Sequence, residues 1–286
     1  MTDPNTSSRV ATALHRFADV DEDDLTRSTT VLPIGGGTLA YELVPRDATR
    51  VGLILCPSFF ELKTLQASEI RFGHALAKSG FYAMYLQPPG TGESFGEPEN
   101  VRVSSRVSAA IAAAEHALEA NRCERIVFFG CRLGGAVAVA AAQRFEGSAF
   151  AAWDPVVEGA TYLKQARRLD RIAAMAGRRK RYETLEDQLQ ERGWATLLGN
   201  VVTKGIFDDL VGWTLGEGDA VSAASLVLCL DDSSLAEAAG RLAPIAPTLT
   251  QHSLGRRHLG HLGFTPDDAA ASTPLTVDWL KGSHEA

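Results

Sequence analysis

Apolar runs that alternate with helical stretches restrict the fold of this sequence more than any other feature. The run Val51-Gly52-Leu53-Ile54-Leu55-Cys56 carries no charge and ends at Pro57, which is typical of a strand buried on both faces, as in a parallel sheet. Similar runs at 81–86, 125–129 and 149–153 are separated by helical stretches, among them 70–79, 104–121 and 134–145. This order predicts βαβ crossovers and a mostly parallel sheet.

The rest of the chain completes this plan. Segments 29–33 and 38–44 flank Gly35-Gly36-Gly37 and predict a hairpin, and 225–230 and 247–251 predict two more strands. Residues 155–224 have helical character and no recognisable strand, so we expect an insertion over one end of the sheet, where α/β enzymes bind ligands. We expect a flexible N-terminal segment at 1–25 and a single domain at 26–286.

The charge balance excludes some partners. The chain has 28 basic and 35 acidic residues, a net charge of −7, so we expect neither nucleic acid nor a membrane as partner. A basic cluster, Arg178-Arg179-Lys180-Arg181, lies within the insertion. It either docks an acidic partner or anionic substrate, or forms a solvated face balanced by neighbouring acids such as Glu183 and Glu186.

The N-terminal sequence, the lengths of the apolar runs and the cysteine pattern bear on the cellular compartment of the protein. The start MTDPNTSSRV lacks the pattern of a secretory signal, and no run reaches the ~18 apolar residues of a membrane helix. The four cysteines are widely spaced and show no disulfide framework. We therefore expect a cytoplasmic protein.

Three turns follow the predicted strands at the edge where such enzymes keep their active sites. Gly130-Cys131-Arg132-Leu133-Gly134-Gly135 lies between a strand and a helix, and its Gly-x-X-x-Gly spacing is that of a nucleophile elbow, with Arg132 at the tip. The second turn contains Gly90-Thr91-Gly92-Glu93-Ser94 after Gln87, and the third is Cys56-Pro57-Ser58-Phe59-Phe60-Glu61.

These turns and their order resemble the α/β-hydrolase superfamily. Arg132 in a GxRLG elbow, together with the later run from Trp153 to Leu163, is similar to the bacterial exosortase-associated and serine-aminopeptidase-like hydrolases. The resemblance extends over about 51–168, is looser over 225–281, and departs from the superfamily at Gln87, where Asp is common. It implies a mostly parallel sheet flanked by helices, with a helical lid at about 155–224.

The resemblance also assigns site residues. The superfamily order of nucleophile, acid and histidine places the acid at Asp231 or Asp232 and the histidine at His258 or His261, although each is also an ordinary residue for a turn or a loop. Backbone N–H groups near Ser58 and Leu133 would form the oxyanion hole. Phe59 and its aromatic neighbours either line an acyl pocket or belong to the core.

The tip of the elbow holds no nucleophile, because a guanidinium stays protonated. Cys131 would put large residues where an elbow needs small ones, and Ser58 is a weaker candidate still. Arg132 then has two interpretations. It is an anion anchor at a helix N-terminus, or it forms an internal salt bridge, with Glu61, Glu93 or Asp154 as partners, that fills an inactive site.

Two functions follow. The first is an atypical hydrolase of an anionic, small-molecule or peptide-like acyl substrate (ester, thioester or amide), with Arg132, Cys131, Leu133, Ser58 and Phe59 at the substrate. A histidine oriented by Asp231 or Asp232 would be the general base, without cofactor or metal. The second is a non-catalytic hydrolase-like protein that binds a ligand or partner. The alanine-rich helix at 109–120 either forms a homodimer contact or packs on the sheet.

Overall fold

The computed structural model of the chain describes residues 19–20, 25–32, 37–46, 50–97, 100–176, 183–256 and 264–284. Strands and helices alternate along it. The strands are β1 (Asp19–Val20), β2 (Thr26–Leu32), β3 (Thr38–Val44), β4 (Val51–Cys56), β5 (Tyr82–Gln87), β6 (Arg125–Cys131), β7 (Ala149–Trp153), β8 (Trp194–Leu197), β9 (Asn200–Thr203), β10 (Ser225–Cys229) and β11 (Leu249–Ser253). The helices are α1 (Leu62–Lys78), α2 (Val103–Glu119), α3 (Leu133–Ala142), α4 (Gly159–Ala176), α5 (Leu185–Arg192), α6 (Lys204–Val211), α7 (Asp232–Leu242) and α8 (Pro266–His284).

One central sheet organises the molecule. Within the described ranges its strand order is β1-β2-β3-β5-β4-β6-β7-β10-β11. In this order, the neighbours from β5 through β4, β6, β7 and β10 to β11 pair in parallel, whereas the pairs β1–β2, β2–β3 and β3–β5 are antiparallel. The predicted hairpin and mostly parallel sheet are therefore confirmed. Residues 19 and 20 of the N-terminal segment pair with β2.

Helices cover both faces of the sheet. Side chains of α1 and α8 pack with one face, and those of α2, α3 and α7 pack with the other. Every residue of β4 is buried, as the uncharged run predicts. Helix α3 is also buried along its whole length, because its alanines and glycines let it approach the sheet closely.

The prediction of no strand in 155–224 was wrong. The described parts of this segment, hereafter the insertion, contain α4, α5 and α6 and also the antiparallel hairpin β8–β9. Each strand has only four residues, and the turn residues Leu198 and Gly199 have φ of 50° and 76°. Leucine rarely adopts that conformation. The turn also lacks the Asn-Gly pair that usually indicates a two-residue hairpin, so the sequence did not predict it.

Helix α1 is also longer than predicted. It begins at Leu62, not at Ile70. Leu65 and Glu69 continue the buried face that Phe72 and Leu76 form, since positions three and four apart share one side of a helix. Because most residues around Leu65 are polar, the sequence pattern did not indicate that the helix begins before Ile70.

Candidate functional site

The turn between β6 and α3 has a strained backbone. Arg132 joins the two elements with φ 55° and ψ −121°, a conformation that is unfavourable for a residue with a side chain. Its N–H donates a 2.9 Å hydrogen bond to the carbonyl oxygen of Trp153. A Cβ on Gly130 would overlap the backbone of Gly134, and a Cβ on Gly134 would overlap the carbonyl oxygen of Cys56. The glycines thus permit a tight turn that places Arg132 at the carboxyl edge of the sheet.

The Arg132 guanidinium is held by internal partners. Its Nε lies 3.2 Å from Oε1 of Glu61, and its Nη1 lies 2.7 Å from Oδ2 of Asp154. Nη2 donates to Oε1 of Gln165 at 3.4 Å. The Arg132 side chain is only 11% exposed. Burial acts to lower its pKa, but the carboxylates of Asp154 and Glu61 raise the pKa above the ordinary arginine value, so the group is permanently charged.

Tyr162 of α4 completes this network. The Arg132 guanidinium lies 5.5 Å from the centre of the Tyr162 ring, within the range of a cation–π interaction. The Tyr162 hydroxyl donates a 2.6 Å hydrogen bond to Oε2 of Glu61 and accepts one of 3.1 Å from the N–H of Phe60. The network therefore ties the insertion to the loop after β4.

These contacts bear on the two interpretations of Arg132. Of the three carboxylates proposed for an internal salt bridge, Glu61 and Asp154 are its partners. Glu93 instead accepts a hydrogen bond of 2.9 Å from the Tyr41 hydroxyl. The charge of Arg132 is balanced from within the protein, as the internal-salt-bridge interpretation requires.

Two buried side chains that the sequence-based predictions did not include hold the loop after β4. Oε1 of Glu69 accepts the N–H of Ser58 at 3.0 Å, and Nη1 of Arg106 donates to the carbonyl oxygen of Pro57 at 3.2 Å. The Arg106 guanidinium also lies 4.9 Å from the ring centre of Phe59. Glu69 and Arg106 are each 3% exposed. A charged residue on the buried face of a helix was the signal available in the sequence.

The predicted substrate-binding residues Ser58, Phe59, Cys131 and Leu133 all have buried side chains. The Ser58 N–H, an expected oxyanion donor, is already bonded to Glu69. Burial raises the pKa of the Cys131 thiol well above its ordinary value, which disfavours the thiolate that a nucleophile needs.

The predicted acid lies at the start of α7. Asp231 caps this helix, because its carboxylate accepts the N–H of Ser234 at 2.8 Å, and Asp232 is exposed. A cavity of about 100 Å³ is lined by Arg132 and Asp154 and also by Ser234 of α7. The first turn of α7 therefore borders the same cavity as Arg132, although neither Asp231 nor Asp232 lines it.

The predicted histidines, His258 and His261, lie outside the described residues, as does the basic cluster at 178–181. The chain leading to the histidines is described as far as Arg256. The N–H of Leu254 donates to the carbonyl oxygen of Cys229, and that of Arg256 donates to Leu230. The segment before the histidines thus runs beside the carboxyl end of β10, which the predicted acids follow.

Other basic residues of the insertion are paired with acids on its surface. Arg167 of α4 lies 2.5 Å from Glu186, and Arg192 of α5 lies 2.5 Å from Glu183. All four side chains are substantially exposed. In the described part of the insertion, the solvated, balanced face is therefore the better description of these charges.

Comparisons with known proteins define the fold. No model of a protein family matches the chain, and no curated protein sequence matches it. Among solved structures, Est1E from Butyrivibrio proteoclasticus with ferulic acid bound superposes with a TM-score of 0.62 at 12% identity, over 90% of this chain and 100% of the other. Proline iminopeptidase from Mycobacterium smegmatis has a TM-score of 0.60 at 16% identity, over 90% and 98%. For the α/β hydrolase GrgF from Penicillium sp. sh18 the TM-score is 0.59 at 16% identity, over 91% and 99%.

These similarities and the strand order show that the chain has the α/β-hydrolase fold. Within the described ranges, no group of three or more His, Cys, Asp or Glu side chains is placed to hold a metal ion. Nor is any helix of the described part long and apolar enough to cross a membrane.

Proposed function

We propose that this protein is a hydrolase-fold binding protein, in which Arg132 stabilises the cleft in place of a nucleophile. The observation that carries this proposal is the pairing of the guanidinium with both Glu61 and Asp154. Two carboxylates against one guanidinium leave no excess positive charge to attract an anionic substrate. A mostly buried arginine that pairs with two carboxylates links the segments that carry them, and removal of one member of such a network is strongly destabilising.

Chemical arguments support the loss of covalent acyl transfer. A guanidinium is not a nucleophile. The nearest alternatives, Cys131 and Ser58, are 1% and 0% exposed. An acyl carbon cannot approach either side chain without rearrangement of the sheet edge.

The insertion would act as the lid of this cleft. The cavity of about 100 Å³ beside Arg132 is smaller than the roughly 300–1,000 Å³ typical of ligand pockets. Tyr162 and Gln165 of α4 bond to Glu61 and Arg132, so a displacement of α4 would widen the cavity. The ligand or partner would thus compete with these contacts.

The atypical hydrolase is the second candidate. Cys229, which ends β10, and Ser234 of α7 line the same cavity as Arg132, and the chain before the histidines runs beside the turn between β10 and α7. In this candidate His258 or His261, oriented by Asp231 or Asp232, would activate water for attack on an acyl substrate with an anionic group. It would operate in the cytoplasm without a metal or cofactor.

Turnover measurements separate the two candidates. The purified full-length protein would be assayed with a panel of carboxylate-bearing esters, thioesters and amides, beside the variants His258→Ala, His261→Ala and Asp231→Asn. We expect no turnover above the buffer rate and no adduct with a fluorophosphonate probe. Turnover that either histidine substitution abolishes would establish the hydrolase and overturn the binding proposal.

A binding measurement tests the proposal directly. The same compounds and their acid and amine products would be screened for an increase in melting temperature, since a ligand that binds only the folded state stabilises it. Thr161→Trp would fill the cavity from its exposed wall, and Arg167→Gln, on the same helix and in a surface ion pair, is the matched control. Shifts that disappear only in Thr161→Trp support binding in the cleft, and shifts unchanged in it contradict the proposal.

A further inference from the structure

A second cavity is bordered by α2, α3, the end of α6 and the loop at 212–219 that follows α6. Its volume is about 360 Å³, within the range of small-molecule sites. Hereafter it is called the α2–α3 cavity. None of the described residues that line it also lines the cavity beside Arg132.

The interior of the α2–α3 cavity is apolar. Val103 and Val107 of α2 lie one helical turn apart, as do Ala136 and Ala140 of α3, so each pair occupies one face of its helix. All four are buried in the same hydrophobic cluster, which also includes Leu215 of the loop. The short side chains of the two alanines leave space between the helices.

An aromatic side chain, that of Trp213, also lines the cavity. The backbone of Trp213 is fixed, because its N–H donates to the carbonyl oxygen of Leu210 at 3.2 Å and its carbonyl oxygen accepts the N–H of Gly159 at 3.0 Å. The indole packs against the apolar cluster. Its buried Nε1 has no hydrogen-bond partner in the part of the chain that the structure describes. The ring is thus not engaged by another polar group.

The charged residues at the cavity are mostly acidic. Asp209, Glu217 and Asp219 line it, and Arg144 is the one basic residue among the described residues of the lining. Asp209 accepts the N–H of Val103 at 2.8 Å. The exposed carboxylates of Glu217 and Asp219 make no hydrogen bond or ion pair with the protein where the structure describes it. The lining therefore carries an excess of negative charge that is not balanced by pairing.

These features restrict the kind of ligand that fits the cavity. The excess of negative charge repels an anion. Within the described ranges, no three His, Cys, Asp or Glu side chains are grouped to hold a metal ion, and a bare ion would make no use of the apolar interior. An ammonium group attached to an apolar body matches both the interior and the charge, and the face of an indole also attracts a cation.

We propose that the α2–α3 cavity binds a small organic ammonium ion with an apolar or aromatic body, such as an arylalkylamine. The body lies between Val107 and Ala140, where burial of apolar surface favours binding. The ammonium group lies between the Trp213 ring and the carboxylates of Glu217 and Asp219. This site is independent of the cleft beside Arg132 and of the function proposed for it.

Isothermal titration calorimetry of the full-length protein with phenethylamine tests the proposal. We expect saturable binding, with the neutral phenethyl alcohol binding at least about tenfold more weakly and the anion hydrocinnamate more weakly still, because the three bodies are alike and the charge differs. Glu217→Gln combined with Asp219→Asn should weaken binding of the amine by about tenfold and leave that of the alcohol unchanged. Asp208→Asn is the matched charge control, since Asp208 is exposed, pairs with Lys204 and does not line the cavity.

A blocking variant tests the location of the site. Ser104→Trp should abolish binding of the amine and of the alcohol, because Ser104 is exposed in the wall of the cavity and the new ring would fill it. Ser108→Trp is the control and should leave binding unchanged, since Ser108 is exposed one turn further along α2 and does not line the cavity. Melting temperatures equal to that of the parent would show that a loss of binding is not a loss of folding.

The outcomes that would overturn the proposal are separate for charge and location. They are the absence of phenethylamine binding to the full chain, equal affinities for the amine and the alcohol, binding that survives Ser104→Trp, and binding that Asp208→Asn weakens as much as the double variant does. If Ser104→Trp does not fold, the double variant decides, because it changes only the exposed side chains of Glu217 and Asp219.

Discussion

Nη1 of Arg132 lies 2.7 Å from Oδ2 of Asp154 and 3.1 Å from the carbonyl oxygen of the same residue. Both residues have positive φ, 55° for Arg132 and 43° for Asp154. The Asp154 N–H donates to the carbonyl oxygen of Leu228 at 2.6 Å. The pair therefore links the carboxyl ends of β6, β7 and β10, and its contacts offset the cost of two strained residues.

Removal of Arg132 should be strongly destabilising. In Arg132→Met the carboxylates of Glu61 and Asp154 remain, and both are buried without their cation. An unpaired buried charge costs about 3–5 kcal/mol. The free energy of unfolding from urea denaturation should fall by this amount.

A triple variant distinguishes lost pairing from lost packing. Arg132→Met with Glu61→Gln and Asp154→Asn removes all three charges and should regain most of the stability that the single variant loses. If the single variant loses less than about 1 kcal/mol, the value of an exposed pair, the network does not hold the sheet edge together.

The tight turn around Arg132 should depend on Gly134. Gly134→Ala should cost more than about 3 kcal/mol or prevent folding, since its Cβ would overlap the carbonyl oxygen of Cys56. Gly240→Ala is the control. It lies within α7 with open space around a new Cβ, so it should be neutral or stabilise by about 0.5–1 kcal/mol. Equal effects on the melting temperature would contradict this account of the turn.

The strands of the core and the turns that follow them were predictable from the sequence. A run such as 51–56 must be buried on both faces wherever it lies, so its local pattern determines its environment. The order of such runs then places positions 58, 132 and 154 at the same edge of the sheet. The sequence pattern alone therefore brings these three turns together.

The partners within the site were less predictable. Glu61 and Asp154 were two of three carboxylates considered for Arg132, and nothing local separates them from Glu93, because the choice depends on how β4, β7 and α4 pack. Glu69 was overlooked because the start of α1 was misplaced. Once Leu62 begins the helix, Glu69 falls on its buried face.

No cysteine should react in the folded protein. All four thiols are buried, and burial raises the pKa of Cys56 to about 12 and that of Cys123 to about 11. Since the thiolate is the reactive form, a dithionitrobenzoate reagent should release no chromophore at neutral pH until denaturant is added, and then four equivalents. Fast labelling of Cys131 in the native state, located by mass spectrometry, would return it to the list of candidate nucleophiles.

The carboxyl group of Glu69 should make stability depend on pH. Oε1 accepts the Ser58 N–H at 3.0 Å, and Oε2 lies 3.4 Å from the Tyr85 hydroxyl. Burial raises its pKa to about 7, although these hydrogen bonds act to lower it, and Glu61 adds a smaller repulsion. Arg106 is buried nearby, and burial lowers its pKa to about 10, so Arg106 stays charged throughout the range in which Glu69 titrates.

The raised pKa of Glu69 determines whether the stability of the folded protein rises or falls with pH. Between the ordinary glutamate pKa and about 7, the unfolded chain has lost the Glu69 proton while the folded protein keeps it, so stability falls as pH rises through this window. The decrease due to Glu69 should reach at most about 3 kcal/mol and level off above the folded pKa. Glu69→Gln keeps an acceptor for the Ser58 N–H and cannot ionise. Its free energy of unfolding relative to the parent, from urea denaturation, should therefore increase from pH ~5 to pH ~8. A difference that is constant across this range would mean that Glu69 is ionised in the folded protein throughout.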